Sequence, residues 1–283
     1  MQKVNSSIYK SEAGERAIME VYDTVLKNWP VEYQTITMPT RHGDTFVITG
    51  GDESKHALVL LHGSSSNATS WIADFPEYSC HFRVYAIDIP GDPGKSAPNR
   101  LPWNSLGYAE WLLDTLNGLK IEKAMLLGLS QGGWTALRFA TNYPERVCKL
   151  VLLTPGGIVP TKKSFLLKSI FYLLQGKRGV EKLNRYVAGS NPIHPDAMKF
   201  MNLIMTHFKA RIDREYLFTD DELKRLSMPI LLIGGTNDVI RSNEAIVRRL
   251  ETLVPQLQSS ILPGKGHVLI NMTQNILPFL TAD

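Results

Sequence analysis

Residues 128–133 read GLSQGG, a G-x-S-x-G pattern between the apolar run KAMLLG (123–128) and a segment rich in small and apolar residues, Trp134, Ala136, Leu137, Phe139 and Ala140. A chain that passes from strand to helix within one residue strains the residue at the apex, and neighbours two positions away must lack bulk for the backbone to close. Gly128 and Gly132 meet that demand. The pattern predicts Ser130 exposed at the C-terminal edge of a sheet, where open α/β sheets bind ligands, with the following helix aiming backbone N–H groups at the reacting atoms. The chemistry available to such a serine is attack on an acyl carbonyl.

A serine hydroxyl is a weak nucleophile until a base takes its proton, and the base needs a partner to hold its tautomer. Among the seven histidines, His267 lies in the glycine-rich stretch PGKGHV between the strand-like QSSIL and a final helical segment, a loop position that lets an imidazole reach across a sheet edge. His42, His56 and His81 fall in turn-like or pre-strand positions, and His194 and His207 in a helical insertion. Asp238, in LLIGGTNDVI, stands just past the end of the apolar run PILLIG, on the same predicted edge as Ser130. Its competitors are Asp88, after FRVYAI, and Asp220 and Asp221, ahead of PILLIG; a turn-capping role is the alternative for Asp238 itself. Donors for a developing oxyanion are expected from two backbone amides, that of Gln131 and that of Ser64 in the loop LHGSSS. His62 in that loop is expected to bond backbone and not to titrate.

The elements that must hold these residues follow from hydrophobic patterning. ALVLL (57–61), FRVYAI (82–87), KAMLLG (123–128), KLVLL (149–153) and PILLIG (229–234) are short continuous apolar runs, the mark of strands buried on both faces. Helical segments at 108–119, 132–143, 243–253 and 268–280 alternate with them, which predicts an α/β fold with a mostly parallel sheet. An amphipathic helix over 13–29 and a hairpin of 31–38 with 45–49, one face wet, precede this alternation. Between Leu153 and Pro229 the alternation stops for three helical stretches, so residues 1–154 and 215–283 are expected to form the core and 155–214 a helical cap. Its apolar side chains, from Phe165 to Leu174 and from Met198 to Phe208, are expected either to form an adaptable surface over the site or to pack the cap on the core.

Composition restricts the classes of function. The chain has 283 residues, 43% hydrophobic and 20% charged, which suits a soluble globular protein. The longest apolar stretch, Phe165 to Leu174, is broken by Lys168 and far short of the roughly 20 residues that span a bilayer, so no integral membrane association is expected. The first 20 residues carry scattered charges and no apolar leader segment, which reads as a cytoplasmic chain. Cys80 and Cys148 stand apart without metal or redox spacing and are expected to be buried. The net charge of +4 hides an uneven distribution. Lys162, Lys163, Lys168, Lys177, Arg178, Lys182, Arg185, Lys199, Lys209 and Arg211 face only Glu181 and Asp196 within 155–212. No aromatic–basic interleaving or nucleotide-binding glycine pattern accompanies them, so no nucleic-acid partner is expected, although peripheral contact of the basic cap with an anionic surface is an open reading.

Four ordered motifs, HG after the third strand, GLSQGG, the acid after PILLIG and GKGH before the last helix, make the chain resemble the α/β-hydrolase superfamily over nearly all its length. Within it, Asn28-Trp29-Pro30, DIPGD with Lys95 and Ser96, and FTDDEL (218–223) are similar to small Bacillus-type carboxylesterases. One departure is that DIPGDPGKS is a residue longer than the D-x-P-G-x-G-x-S of many relatives. The resemblance implies an eight-stranded sheet with helices on both faces and a helical cap inserted after strand six. It also implies a cofactor-independent serine hydrolase of small apolar esters, with Ser130, His267 and Asp238 as its triad and no metal. Thioester, lactone or C–C bond hydrolysis, cofactor-free perhydrolysis, and a non-catalytic ligand sensor are the alternatives.

Overall fold

The computed structural model describes residues 8–282; the first seven, part of the stretch read as lacking a leader, and Asp283 lie outside the described residues. In chain order the elements are α1 (Glu12–Lys27), β1 (Gln34–Met38), β2 (Thr45–Gly50), β3 (Ala57–Leu61), α2 (Phe75–His81), β4 (Arg83–Ile87), α3 (Gly107–Gly118), β5 (Ala124–Leu129), α4 (Gln131–Ala140) and β6 (Val147–Leu153). Then come α5 (Lys163–Leu173), α6 (Gly176–Ala188), α7 (Pro195–His207), the short α8 (Asp220–Leu223), β7 (Ile230–Gly235), α9 (Asn243–Glu251), β8 (Leu257–Leu262) and α10 (Thr273–Thr281).

The eight strands form one sheet in the order β1-β2-β4-β3-β5-β6-β7-β8. β1 and β2, and β2 and β4, pair antiparallel; every later pair is parallel. The continuous apolar runs are explained by period-two burial on two covered faces. Val59, Leu61, Leu126, Leu150, Leu152, Ile230 and Leu232 point to one core, where Trp111 and Leu112 of α3, Trp134 of α4 and Ile246 of α9 meet them. Their neighbours Leu58, Leu60, Leu127, Val151, Leu153, Leu231 and Ile233 point to the other, against Tyr22 of α1, Phe75 of α2 and Ile276 of α10. Each such fully buried Leu or Ile contributes roughly 1.5–3 kcal/mol.

Three local expectations are revised. β2 is buried on both faces, because it lies between β1 and β4 inside the sheet, and only β1 keeps a wet face. The last helix begins at Thr273, the preceding residues forming an irregular loop that leads away from His267. Cys80 is exposed on α2, and Cys148, near the start of β6, is half-buried against the second core.

Helices α5, α6 and α7 fill the interval between β6 and β7. α7 is seated on α1 through a separate apolar cluster of Ile8, Tyr9, Ile18, Ile204 and Phe208. Among the described residues no helix is long and apolar enough to cross a membrane.

Candidate active site

Ser130 occupies the turn between β5 and α4 with φ 51° and ψ −106°, a left-handed conformation costly for a residue with a side chain. The surrounding chain holds it there. Its N–H donates to the Leu153 carbonyl at 2.9 Å, and its own carbonyl accepts from Trp134 and Gly156. Two glycines make the turn sterically possible: a Cβ on Gly128 would stand 2.4 Å from the Gly132 backbone, and one on Gly132 would stand 2.1 Å from the Leu61 carbonyl oxygen.

The loop between β8 and α10 brings His267 to this turn. Its Nε2 lies 2.9 Å from Ser130 Oγ, and its Nδ1 lies 2.8 Å from Asp238 Oδ2. With Asp238 accepting from Nδ1–H, Nε2 is left to accept the serine proton. Asp238 and His267 are buried, while Ser130 keeps access to solvent. The Thr154 hydroxyl, at the end of β6, donates to the His267 carbonyl and fixes the loop from below.

Asp238 is held in turn. Its Oδ1 accepts the N–H of Ile240 at 2.7 Å and of Arg241 at 3.1 Å, and Oδ2 also accepts from Asn243 Nδ2. The turn-capping geometry weighed as an alternative is therefore present together with the histidine contact, one carboxylate oxygen serving each. Burial by itself would raise the Asp238 pKa, but the hydrogen bonds from His267, Arg241 and Ile240 and the charge interaction with His267 outweigh it and hold the group below its ordinary value. The competing acids go elsewhere. Asp88 accepts from Tyr22 Oη, Ala68 N–H and Lys95 N–H, tying α1 to two loops, and Asp220 pairs with Arg249.

Of the two amides expected as oxyanion donors, that of Ser64 lies in the loop after β3 and that of Gln131 at the first residue of α4. Among the described residues, no hydrogen bond within the chain uses the N–H of Ser64 or of Gln131. His62, directly before this loop, is buried; its Nδ1–H donates to the Gly63 carbonyl and its Nε2 accepts the Ile89 N–H. Burial drives its pKa down to about 4 against the opposing Gly63 bond, so both nitrogens are committed to backbone in the neutral ring.

Sequence reading missed two supports. Asp92 is buried and accepts the Ser65 N–H at 2.9 Å and the Gln131 side-chain amide at 2.6 Å. It sits in the stretch DIPGDPGKS that departs from the common pattern by one residue, and that departure was the signal available. Glu215, after the three inserted helices, accepts from Gly157 N–H and pairs with Arg241 at 2.7 Å, bracing the Asp238 loop across 26 positions of sequence. No local pattern announces that pair.

A sheet covered on both faces, with a strained serine at its C-terminal edge hydrogen-bonded in series to an imidazole and a carboxylate, defines a class of protein before any comparison is made. The chain belongs to the alpha/beta hydrolase family, whose sequence model matches residues 58–275. It is 34% identical over 278 residues to an uncharacterised carboxylesterase, nap, of Bacillus subtilis, covering 95% of this chain and 92% of that one. Among solved structures, it is similar to naproxen esterase of Bacillus subtilis, with a TM-score of 0.83 and 31% identity, covering 96% of both chains. Carboxylesterase CesB (YbfK) of the same organism gives a TM-score of 0.85 at 28% identity, covering 95% of this chain and 99% of that one.

Proposed function

We propose that the chain hydrolyses carboxylic esters through an acyl-enzyme on Ser130. The observation that carries this reading is the unbroken hydrogen-bond series from Ser130 Oγ through His267 to Asp238. The carboxylesterases among its relatives support the choice of ester over other acyl substrates.

In this reading Ser130 Oγ bonds to the ester carbonyl carbon while its proton passes to His267 Nε2. The carbonyl oxygen takes the negative charge, and the N–H groups of Ser64 and Gln131 stabilise it. Collapse of this intermediate breaks the C–O bond to the alcohol, which leaves with the proton from Nε2. Water then repeats the sequence on the acyl-enzyme, releasing the acid and restoring the serine. Asp238 keeps the imidazole in the required tautomer and stabilises its charged form. Asp92 is a positioning residue: it ties the Ser64–Ser65 loop to Gln131 and so sets the spacing of the two donors. Residues 155–214 form the cap that borders the site, and the substrate is a small apolar ester.

A panel of p-nitrophenyl esters from acetate to palmitate, run beside thioester, lactone and C–C-cleavage substrates, tests this reading. Turnover should be greatest on an ester, with a fluorophosphonate probe labelling Ser130 stoichiometrically. Failure to turn over any activated ester would instead support a ligand-binding protein on this fold.

A further inference from the structure

α5 carries an apolar face that no described residue covers. Leu167 is 71% exposed, Ile170 59%, Phe171 63% and Leu174, just past the helix, 82%, and no residue of α5 is buried. A helix face this apolar normally packs against other protein. Among the described residues, the side bearing Lys168 and Tyr172 meets α6: Lys168 Nζ lies 4.4 Å over the Tyr186 ring, and Tyr172 packs edge-on against the same ring. The opposite side, following the helical repeat through Leu166, Leu167, Ile170, Phe171 and Leu174, faces solvent. Packing of the cap on the core, one of the two expectations for these side chains, is therefore corrected for this stretch.

The charges around the face select its partner. Lys163 opens α5, and Lys177 and Arg178 follow its other end; all three are exposed, and none has a hydrogen-bond or ion-pair partner among the described residues. The one acid of the pair, Glu181, is already engaged by Arg185. A second copy of this chain is a poor fit. A two-fold pairing of α5 would set Lys163 against the partner's like-charged residues in either orientation, with no free carboxylate between them. A flat, negatively charged, apolar-cored surface answers both the face and the cations.

We propose that α5 is a docking surface for anionic lipid, lying in the headgroup plane with its apolar face inserted. At 11 residues it cannot span the bilayer, and the arrangement is that of an interfacial helix. The α5–α6 hairpin is grafted onto the two loops that carry the site. The Lys162 backbone N–H donates to the Ile240 carbonyl and its ammonium to the Asp238 carbonyl, while Val187 accepts the His267 N–H and Ser190 Oγ donates to Gly264. Docking through α5 thus holds the membrane on the hairpin that is tied to the Asp238 and His267 loops.

Co-sedimentation of the full chain with vesicles tests the proposal, comparing phosphatidylcholine alone with equal parts phosphatidylcholine and phosphatidylglycerol, at low and high salt. The wild type should bind the mixed vesicles more tightly, and high salt should weaken that binding. Lys163→Gln/Lys177→Gln/Arg178→Gln should reduce affinity for them by about 10²-fold. Leu167→Ser/Leu174→Ser should abolish binding even at low salt, and both variants should keep the wild-type melting temperature and turnover of a soluble ester. No binding by the wild type, or equal binding by wild type and both variants, overturns the proposal. So does a concentration-dependent dimer, seen by sedimentation velocity, that Leu167→Ser/Leu174→Ser dissolves.

Discussion

Gln131 Nε2 donates to Asp92 Oδ2 at 2.6 Å, and the other oxygen of the same carboxylate accepts the Ser65 N–H. One buried side chain thereby joins the loop after β3 to the residue that follows Ser130. Those are the two segments from which the proposed mechanism draws its charge-stabilising amides. Burial pushes Asp92 up to about 7, against the hydrogen bonds from Ser65 and Gln131. Asparagine keeps the shape but presents an amide to one of the two donors. Asp92→Asn should therefore lower kcat roughly 10-fold with KM little changed, a fraction of the 10²–10³ lost with a whole oxyanion donor. The ratio of wild type to variant should narrow below pH 7, where Asp92 takes up a proton and itself becomes neutral. A ratio constant from pH 5 to pH 9 would leave Asp92 a packing residue only.

Two buried groups near the site oppose each other in the pH dependence of stability. His62 has its folded pKa lowered to about 4, so as pH falls below about 6.5 the unfolded chain gains a proton that the folded chain refuses, and stability is lost. Asp92 has its folded pKa raised from 3.8 to about 7, so the folded chain takes the proton first and stability is gained over nearly the same window. Each effect is on the order of 3 kcal/mol. Removing the acid should uncover the histidine. Urea melts of Asp92→Asn at pH 7.5 and pH 4.5 should show a steeper acid loss than the wild type, and parallel curves would refute the linkage.

The acid assignment is separable by mutation. Asp238→Asn leaves the Asp238 loop hydrogen bonds largely available but removes the anion facing His267, and kcat should fall by about 10⁴ with the fold retained. Asp88→Asn perturbs bonds to Tyr22, Ala68 and Lys95, and should lower the melting temperature with activity per folded molecule preserved. Activity surviving in Asp238→Asn and lost in Asp88→Asn, measured on purified folded protein, would reverse the assignment.

The turn that presents Ser130 should tolerate no side chain at its flanks. In Gly132→Ala the new Cβ would meet backbone oxygen at 2.1 Å, which no rotamer change relieves. A loss of at least about 3 kcal/mol in urea denaturation, or insoluble protein, is expected. A variant of wild-type stability would show that the β5–α4 turn is looser than its geometry.

Much of this protein is written in short-range steric terms. The runs ALVLL, KAMLLG, KLVLL and PILLIG lie within β3, β5, β6 and β7 or extend one residue beyond them, because a strand covered on both faces is apolar on both. Ser130 was legible for a similar reason: a one-residue passage from strand to helix demands glycine at fixed offsets, and that demand is satisfied or violated within five residues. Asp238 and His267 were legible as loop residues at strand ends, but their 2.8 Å contact joins positions 29 apart and exists only because β7 and β8 lie side by side in parallel.

Other features depend on through-space neighbours and have no local signature. Nothing near Asp92 in sequence states that Ser65 and Gln131 will converge on it, and nothing near Glu215 names Arg241. The exposure of α5 is the clearest case. Its composition reads as buried, since sequence reports how apolar a segment is and the fold alone decides which of its faces finds a partner. The sequence by itself determined the sheet, the strained Ser130 turn and the loops of His267 and Asp238. Tertiary structure decided their spacing, the carboxylate that links Ser65 to Gln131, and the exposed face of α5, because each depends on contacts between segments distant in the chain.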